Sequence, residues 1–130
     1  MKFEMHPNET VQDIQQKFNK LFNYLKIEFY KTPHQESQAS DKKEQYLHNT
    51  PIREIYKQDS PIVFQIDPSM TTANFEQILN KDFGLHVQLM RLQRGTWLQT
   101  TQSDELTLKA QNDRGMAADI HIENTDYRDE

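Results

Sequence analysis

This chain contains no cysteine, only three glycines and no long apolar run. Without cysteine there is no disulfide, no thiolate nucleophile and no cysteine-ligated metal site. Gly84, Gly95 and Gly115 are too few and too far apart for a GxGxxG or Walker phosphate loop. The Gly-x-Ser-x-Gly and HExxH patterns are missing as well. No segment approaches the roughly 20 apolar residues that span a bilayer. The opening Met1-Lys2-Phe3-Glu4-Met5-His6 carries an acid at position 4 and no apolar core, unlike a secretory signal. These absences lead to an expectation of a cytoplasmic protein with no membrane partner and no cofactor.

Basic residues are also short: 15 Lys and Arg stand against 20 Asp and Glu, a net charge of −5. Such a surface repels nucleic-acid backbones, so nucleic acid is not the expected partner. The 130 residues are enough for one domain with its own core. With 35% hydrophobic residues, part of the chain should be solvated loop or tail.

What the chain does have is self-similarity. At an offset of 61, Phe3, Pro7, Thr10, Gln16, Asn19, Lys20 and Phe22 match Phe64, Pro68, Thr71, Gln77, Asn80, Lys81 and Phe83. After a one-residue slip, Leu25, Ile27 and Phe29 match Leu85, Val87 and Leu89. Each copy opens with strand-like alternation, Phe3 and Met5 or Phe64 and Ile66. A proline ends the strand and a threonine can cap the helix that follows. Val11, Ile14, Phe18, Leu21 and Phe22 share one helix face, as do Phe75, Ile78, Leu79 and Phe83. Asn23 and Gly84 suit left-handed helix stops. Both copies then return to alternation.

Residues 2–30 and 62–92 therefore read as two β-α-β repeats. The expected class is α+β, with both helices on one face of a single sheet. In topology this resembles the ferredoxin-like fold, which hosts many unrelated functions and so implies none by itself. The acylphosphatase family shares that fold, but its glycine-rich, arginine-containing loop is replaced by Asn8-Glu9-Thr10. Residues 31–60 read as a mobile connection, with Pro51 opening a short helix that buries Ile52, Ile55 and Tyr56. Gln93-Arg94-Gly95 signals a hairpin adding a C-terminal strand around Trp97. A last helix should run from Ser103, its cap, to Gly115, its stop, with a short strand at Ile120 and Ile122. The expected domain is 1–123, with 124–130 a frayed acidic tail.

Alternation puts Glu4 and His6, Glu28 and Tyr30, and His86 and Met90 on one open sheet face. Imidazole and carboxylate there suit a metal or acid–base chemistry. A solvated face of mixed charge explains them better, so neither metal ligands nor catalytic residues are assigned. His34, His48 and His121 sit in polar contexts without a role. Arg91, Arg94 and Trp97 form a basic–aromatic cluster that could stack a base, although a lone Trp is more often packed than displayed.

The sequence points first to a non-enzymatic binding or assembly domain acting through its open face. Met90, Val63, Tyr30 and Leu92 would be its apolar contacts, and its partner a protein or a second copy of the chain in a homodimer. One alternative is a small-ligand or metal-binding protein or enzyme using His6, Glu28 and His86. Another is nucleic-acid binding through Arg91, Arg94 and Trp97.

Overall fold

A computed structural model describes residues 1–33 and 39–128, with side chains described through Asp119. The elements are β1 (Lys2–Met5), α1 (Val11–Leu21), β2 (Leu25–Tyr30), α2 (Ile52–Ile55), β3 (Ile62–Gln65), α3 (Thr72–Phe83), β4 (His86–Gln93), β5 (Thr96–Gln99) and α4 (Leu108–Arg128). Single 3-10 turns lie at Lys42–Glu44 and Thr101–Ser103. No described helix is long and apolar enough to cross a membrane.

The α+β class holds, but the expected single sheet is divided. β1 pairs antiparallel with β3 in one sheet, and β2, β4 and β5 form an antiparallel second sheet in that order. A four-stranded ferredoxin-like sheet would keep β2 and β4 on opposite edges. Here they pair along their length, Leu25 opposite Arg91 through Tyr30 opposite His86.

The core forms where the two sheets and the two repeat helices meet. Phe18 of α1 and Phe75 of α3 lie 5.5 Å apart between ring centres. Phe3 touches Phe18 and Phe64, and Phe64 touches Phe75. Leu25, Ile27 and Phe29 meet Val87 and Leu89 from below, all buried. At about 1.5–3 kcal/mol per large buried side chain, this one cluster dominates the stability.

Local signals set the helix ends. Thr10 and Asp13 form a reciprocal capping box at α1, and Thr71 accepts the Asn74 amide at α3. Gly84 ends α3 in the left-handed conformation at φ +67°. Asn23 does not do the same for α1, which closes on an extended Phe22.

The C-terminal helix departs most from expectation. It begins after Thr107, whose hydroxyl accepts the Ala110 amide, while Ser103 lies in the preceding 3-10 turn. Gly115 does not stop it. A Cβ on Gly115 would lie 2.7 Å from the Tyr24 Cβ and 3.0 Å from the Leu92 carbonyl oxygen. Glycine here lets α4 press against the ends of β2 and β4, and Asn112 adds a 2.8 Å bond from the Tyr24 amide. Ile120 and Ile122 continue the helix backbone and form no strand. Of the expected tail, residues up to Arg128 are helical, and 129–130 lie outside the described residues.

Backbone contacts recur between the two halves. The Val11 and Gln12 amides donate to the Thr50 and His48 carbonyls, and those of Thr72 and Ala73 donate to Leu106 and Asp104. The Ile52 and Arg53 amides donate to Glu9 and Pro7, and those of Leu108 and Lys109 donate to Met70 and Pro68. Across the ladders Phe3 faces Phe64 and Glu28 faces Gln88, positions that the sequence alignment also matches.

Candidate binding groove

Alternation along β2 and β4 turns Leu25, Ile27, Phe29, Val87 and Leu89 toward the core. The intervening residues therefore share the far face of the three-stranded sheet. Lys26 sits opposite Met90, Glu28 opposite Gln88, Tyr30 opposite His86, and Met90 in turn opposite Gln99. This face is not open. Residues 39–48 fold over it, and Glu28, Tyr30 and Gln88 are buried beneath them.

Side-chain hydrogen bonds fasten this arm. Gln45 bridges to Tyr30 along the backbone, and its amide donates to Glu28 at 2.9 Å. The Tyr30 hydroxyl donates to the Gln45 oxygen at 3.4 Å. The Gln99 side chain accepts the Ser40 amide at 3.0 Å and donates to the Ser40 carbonyl at 3.1 Å. The Ser40 hydroxyl reaches Gln88 at 3.3 Å. Burial, helped by the Glu28 and Glu76 charges, pushes the Tyr30 hydroxyl up to about 12, so it remains a donor at neutral pH.

Between arm and sheet lie two adjoining bays. One, of about 470 Å³, runs along α1 and is lined by Gln12, Gln15, Tyr46 and His48 among others. The second, of about 370 Å³, runs toward the β4–β5 hairpin past Tyr30, Met90, Trp97 and Gln99. Both are lined by Lys26, Glu28, Lys42 and Gln45, which form a shared waist. The Lys26 ammonium lies 3.2 Å from Glu28 and 5.2 Å from the Trp97 ring centre. Lys42 makes no ion pair among the described residues.

The sequence candidates are distributed unevenly around this groove. Glu28, Tyr30, Met90 and Trp97 line it. Glu4 and His6 do not: they bond each other at 3.2 Å on the two-stranded sheet. Lys2 and His6 hold the Glu4 carboxyl below its usual value. His86 lines a separate cavity of about 40 Å³ with Glu76 and Asp104. The proposed set of His6, Glu28 and His86 is therefore not assembled, because β1 belongs to a different sheet from β2 and β4. Among the described residues, no group of three or more metal-ligating side chains is in place to hold an ion.

The basic–aromatic cluster is split for a related reason. Arg91 lies on the helix side of β4, donating to Gln111 at 2.8 Å and Ser103 at 3.4 Å. Trp97 lies on the groove side. Arg94 occupies the exposed two-residue turn with Gly95, both at positive φ. The apolar assembly patch is divided too: Val63 is exposed on β3, whereas Tyr30 is buried under the arm. His34 lies outside the described residues, as does the side chain of His121.

Sequence reasoning missed Lys42, Gln45 and His48, which lie in a polar stretch read as loop. Their signal was weak: Tyr46 and Leu47 are the only apolar residues between Ala39 and Ile52. No family model, curated protein or solved structure matches this chain.

Proposed function

We propose that this chain is a non-enzymatic binding domain that holds a small polar molecule in the groove between the three-stranded sheet and the 39–48 arm. The observation that carries this reading is the pair of adjoining bays sharing Lys26, Glu28, Lys42 and Gln45. Bays of this size fall in the range that takes small molecules. Their described lining combines amide, ammonium and aromatic groups with the Glu28 carboxylate and the His48 imidazole, and includes no serine, threonine or cysteine nucleophile.

The two halves are read as copies of one β-α-β-turn unit about a pseudo-two-fold axis. The matched backbone bonds and the facing pairs Phe3–Phe64 and Glu28–Gln88 support this. The matched cleft of the second half, along α3 and β4, is nearly filled. Binding is therefore assigned to the cleft along α1 and β2, which Met90, Trp97 and Gln99 of β4 and β5 complete. Assembly through the outer sheet face is the weaker reading, since the arm occupies that face.

The test is a thermal-shift screen of small metabolites, followed by calorimetry on wild type and Gln45→Ala. A ligand at 100 times its dissociation constant raises stability by about 2.7 kcal/mol, a readable shift. A hit whose affinity falls in Gln45→Ala supports the groove. Hits indifferent to every groove substitution would overturn it.

A further inference from the structure

We infer that the groove takes a molecule bearing an oxyanion, a phosphate or carboxylate, held at the waist by Lys42 and Lys26. This deepens the binding reading above and rests on it. The first argument is local charge. Two ammonium groups meet one carboxylate at the waist. Glu28 at 3.2 Å balances Lys26 and, with Trp97, fixes its position. Lys42 is left uncompensated among the described residues. Lys42 is exposed on the arm, so the waist carries one more lysine than carboxylate on a chain of net charge −5.

The second argument comes from the matched cleft. Backbone bonds place His48 where the second half has Asp104. The helix alignment places Gln12 and Gln15 where it has Ala73 and Glu76, and the strand alignment matches Lys26 to His86. The filled cleft thus gathers two carboxyls, Glu76 and Asp104. The open cleft replaces them with an amide and an imidazole and adds two lysines. With Glu76 protonated at neutral pH, the carboxylate left among the described lining of the smaller cleft is Asp104, whereas the larger one sets two lysines against Glu28 and has room for a ligand.

The third argument is the supply of unused donors. Gln45, Gln99 and Gln15 spend their amides on Glu28, Ser40 and the Ile27 carbonyl. Lys42 and Gln12 make no side-chain hydrogen bond among the described residues. These two flank the α1 bay from opposite walls, the arm and the helix. Groups that only donate, or can donate, suit an acceptor-rich anion.

The experiment titrates the full chain at low ionic strength with inorganic phosphate, pyrophosphate, citrate and, as a neutral comparison, glucose. Binding is read by calorimetry and by backbone amide shifts. Expected is saturable single-site binding of pyrophosphate or citrate, with shifts clustered at residues 12–15, 26–28 and 42–48. Lys42→Ala should weaken it about tenfold or more and Lys42→Arg should largely restore it. Lys109→Ala, which removes an exposed pair with Asp113, should leave it unchanged. A preference for pyrophosphate identifies a phosphate compound, and a preference for citrate a carboxylate. Absence of saturable anion binding, or equal loss in Lys42→Ala and Lys109→Ala, overturns the anion assignment. Glucose alone moving the groove amides would sink the anion and leave the groove reading standing. Anions bound with shifts confined elsewhere would sink both.

Discussion

The first and second halves of this chain make the same backbone bonds around their helix starts and end with clefts of different character. In the first half, α2 is a single turn, and residues 39–48 are bonded to the sheet by Ser40 and Gln45 with two bays beside them. In the second half, α4 is a long helix held against Tyr24 by Asn112 and against Tyr24 and Leu92 by the close approach at Gly115, and the cavity between α3 and β4 measures about 40 Å³. The polar groups diverge in step. Gln15 reaches the strand through an amide donated to the Ile27 carbonyl. Glu76, its counterpart, reaches through a carboxyl accepting the Leu89 amide at 2.8 Å. A backbone plan therefore tolerates exchange of both volume and charge in its clefts while its core stays shared.

The largest effects should show that the core is indeed shared. Phe18→Ala and Phe75→Ala should each cost about 3–5 kcal/mol and unfold the whole chain in one transition. Urea denaturation followed by both fluorescence and circular dichroism would check this. Two separable transitions would break the picture of one core.

The next contrast is between Gln15 and Glu76. Burial first, then the Asp104 charge, pushes the Glu76 carboxyl up to about 8, although the Leu89 amide opposes this. The folded state thus holds a proton that the unfolded chain releases near its ordinary value. The resulting stability is fully present below pH 4.5 and is lost as pH rises through about 8. Stability should fall by on the order of a few kcal/mol between pH 5 and 9. Glu76→Gln should flatten that slope, whereas Gln15→Ala should leave it in place. Melting temperatures across this pH range decide it.

Gly115→Ala gains about 1 kcal/mol of helix propensity. It must also push the added methyl against Tyr24 and the Leu92 carbonyl. A net loss of roughly 1–2 kcal/mol is expected from overpacking. An unchanged or raised melting temperature would mean that α4 does not need this close approach.

Thr10→Ala and Thr71→Ala should have the smallest effects, about 1 kcal/mol each. Near equality would sharpen the likeness of the two helix starts. Chemical denaturation resolves a difference of half that size.

These contrasts mark where the sequence could be read. Period-two and period-3.6 patterns gave the strands and both repeat helices, because burial imposes them locally. Alternation also paired the right residues on the outer face of β2 and β4. It could not say that β1 belongs to another sheet, since strand pairing is set by packing between distant segments. Hence Glu4 and His6 were grouped with Glu28 and His86, which they never meet. Gly115 read as a stop because glycine at a helix end is common, and a close approach leaves the same letter. The arm was the least legible part. Ser40, Gln45 and Lys42 fasten or line a groove by polar contacts, and polar residues in sequence look like solvent-facing loop.

The pairing of β1 with β3 and of β2 with β4 also has a consequence during synthesis. Every ladder among these four strands joins the first half to the second. During synthesis, β1 and β2 are made before the strands they pair with, and within residues 1–60 β2 has the single bridge of Tyr30 to Gln45 among the described residues. The β1 and β2 edges that β3 and β4 cover stay open until those strands follow. A helper that shields nascent chains, or simply rapid translation of the middle of the message, would matter more for this protein than for one whose hairpins close locally.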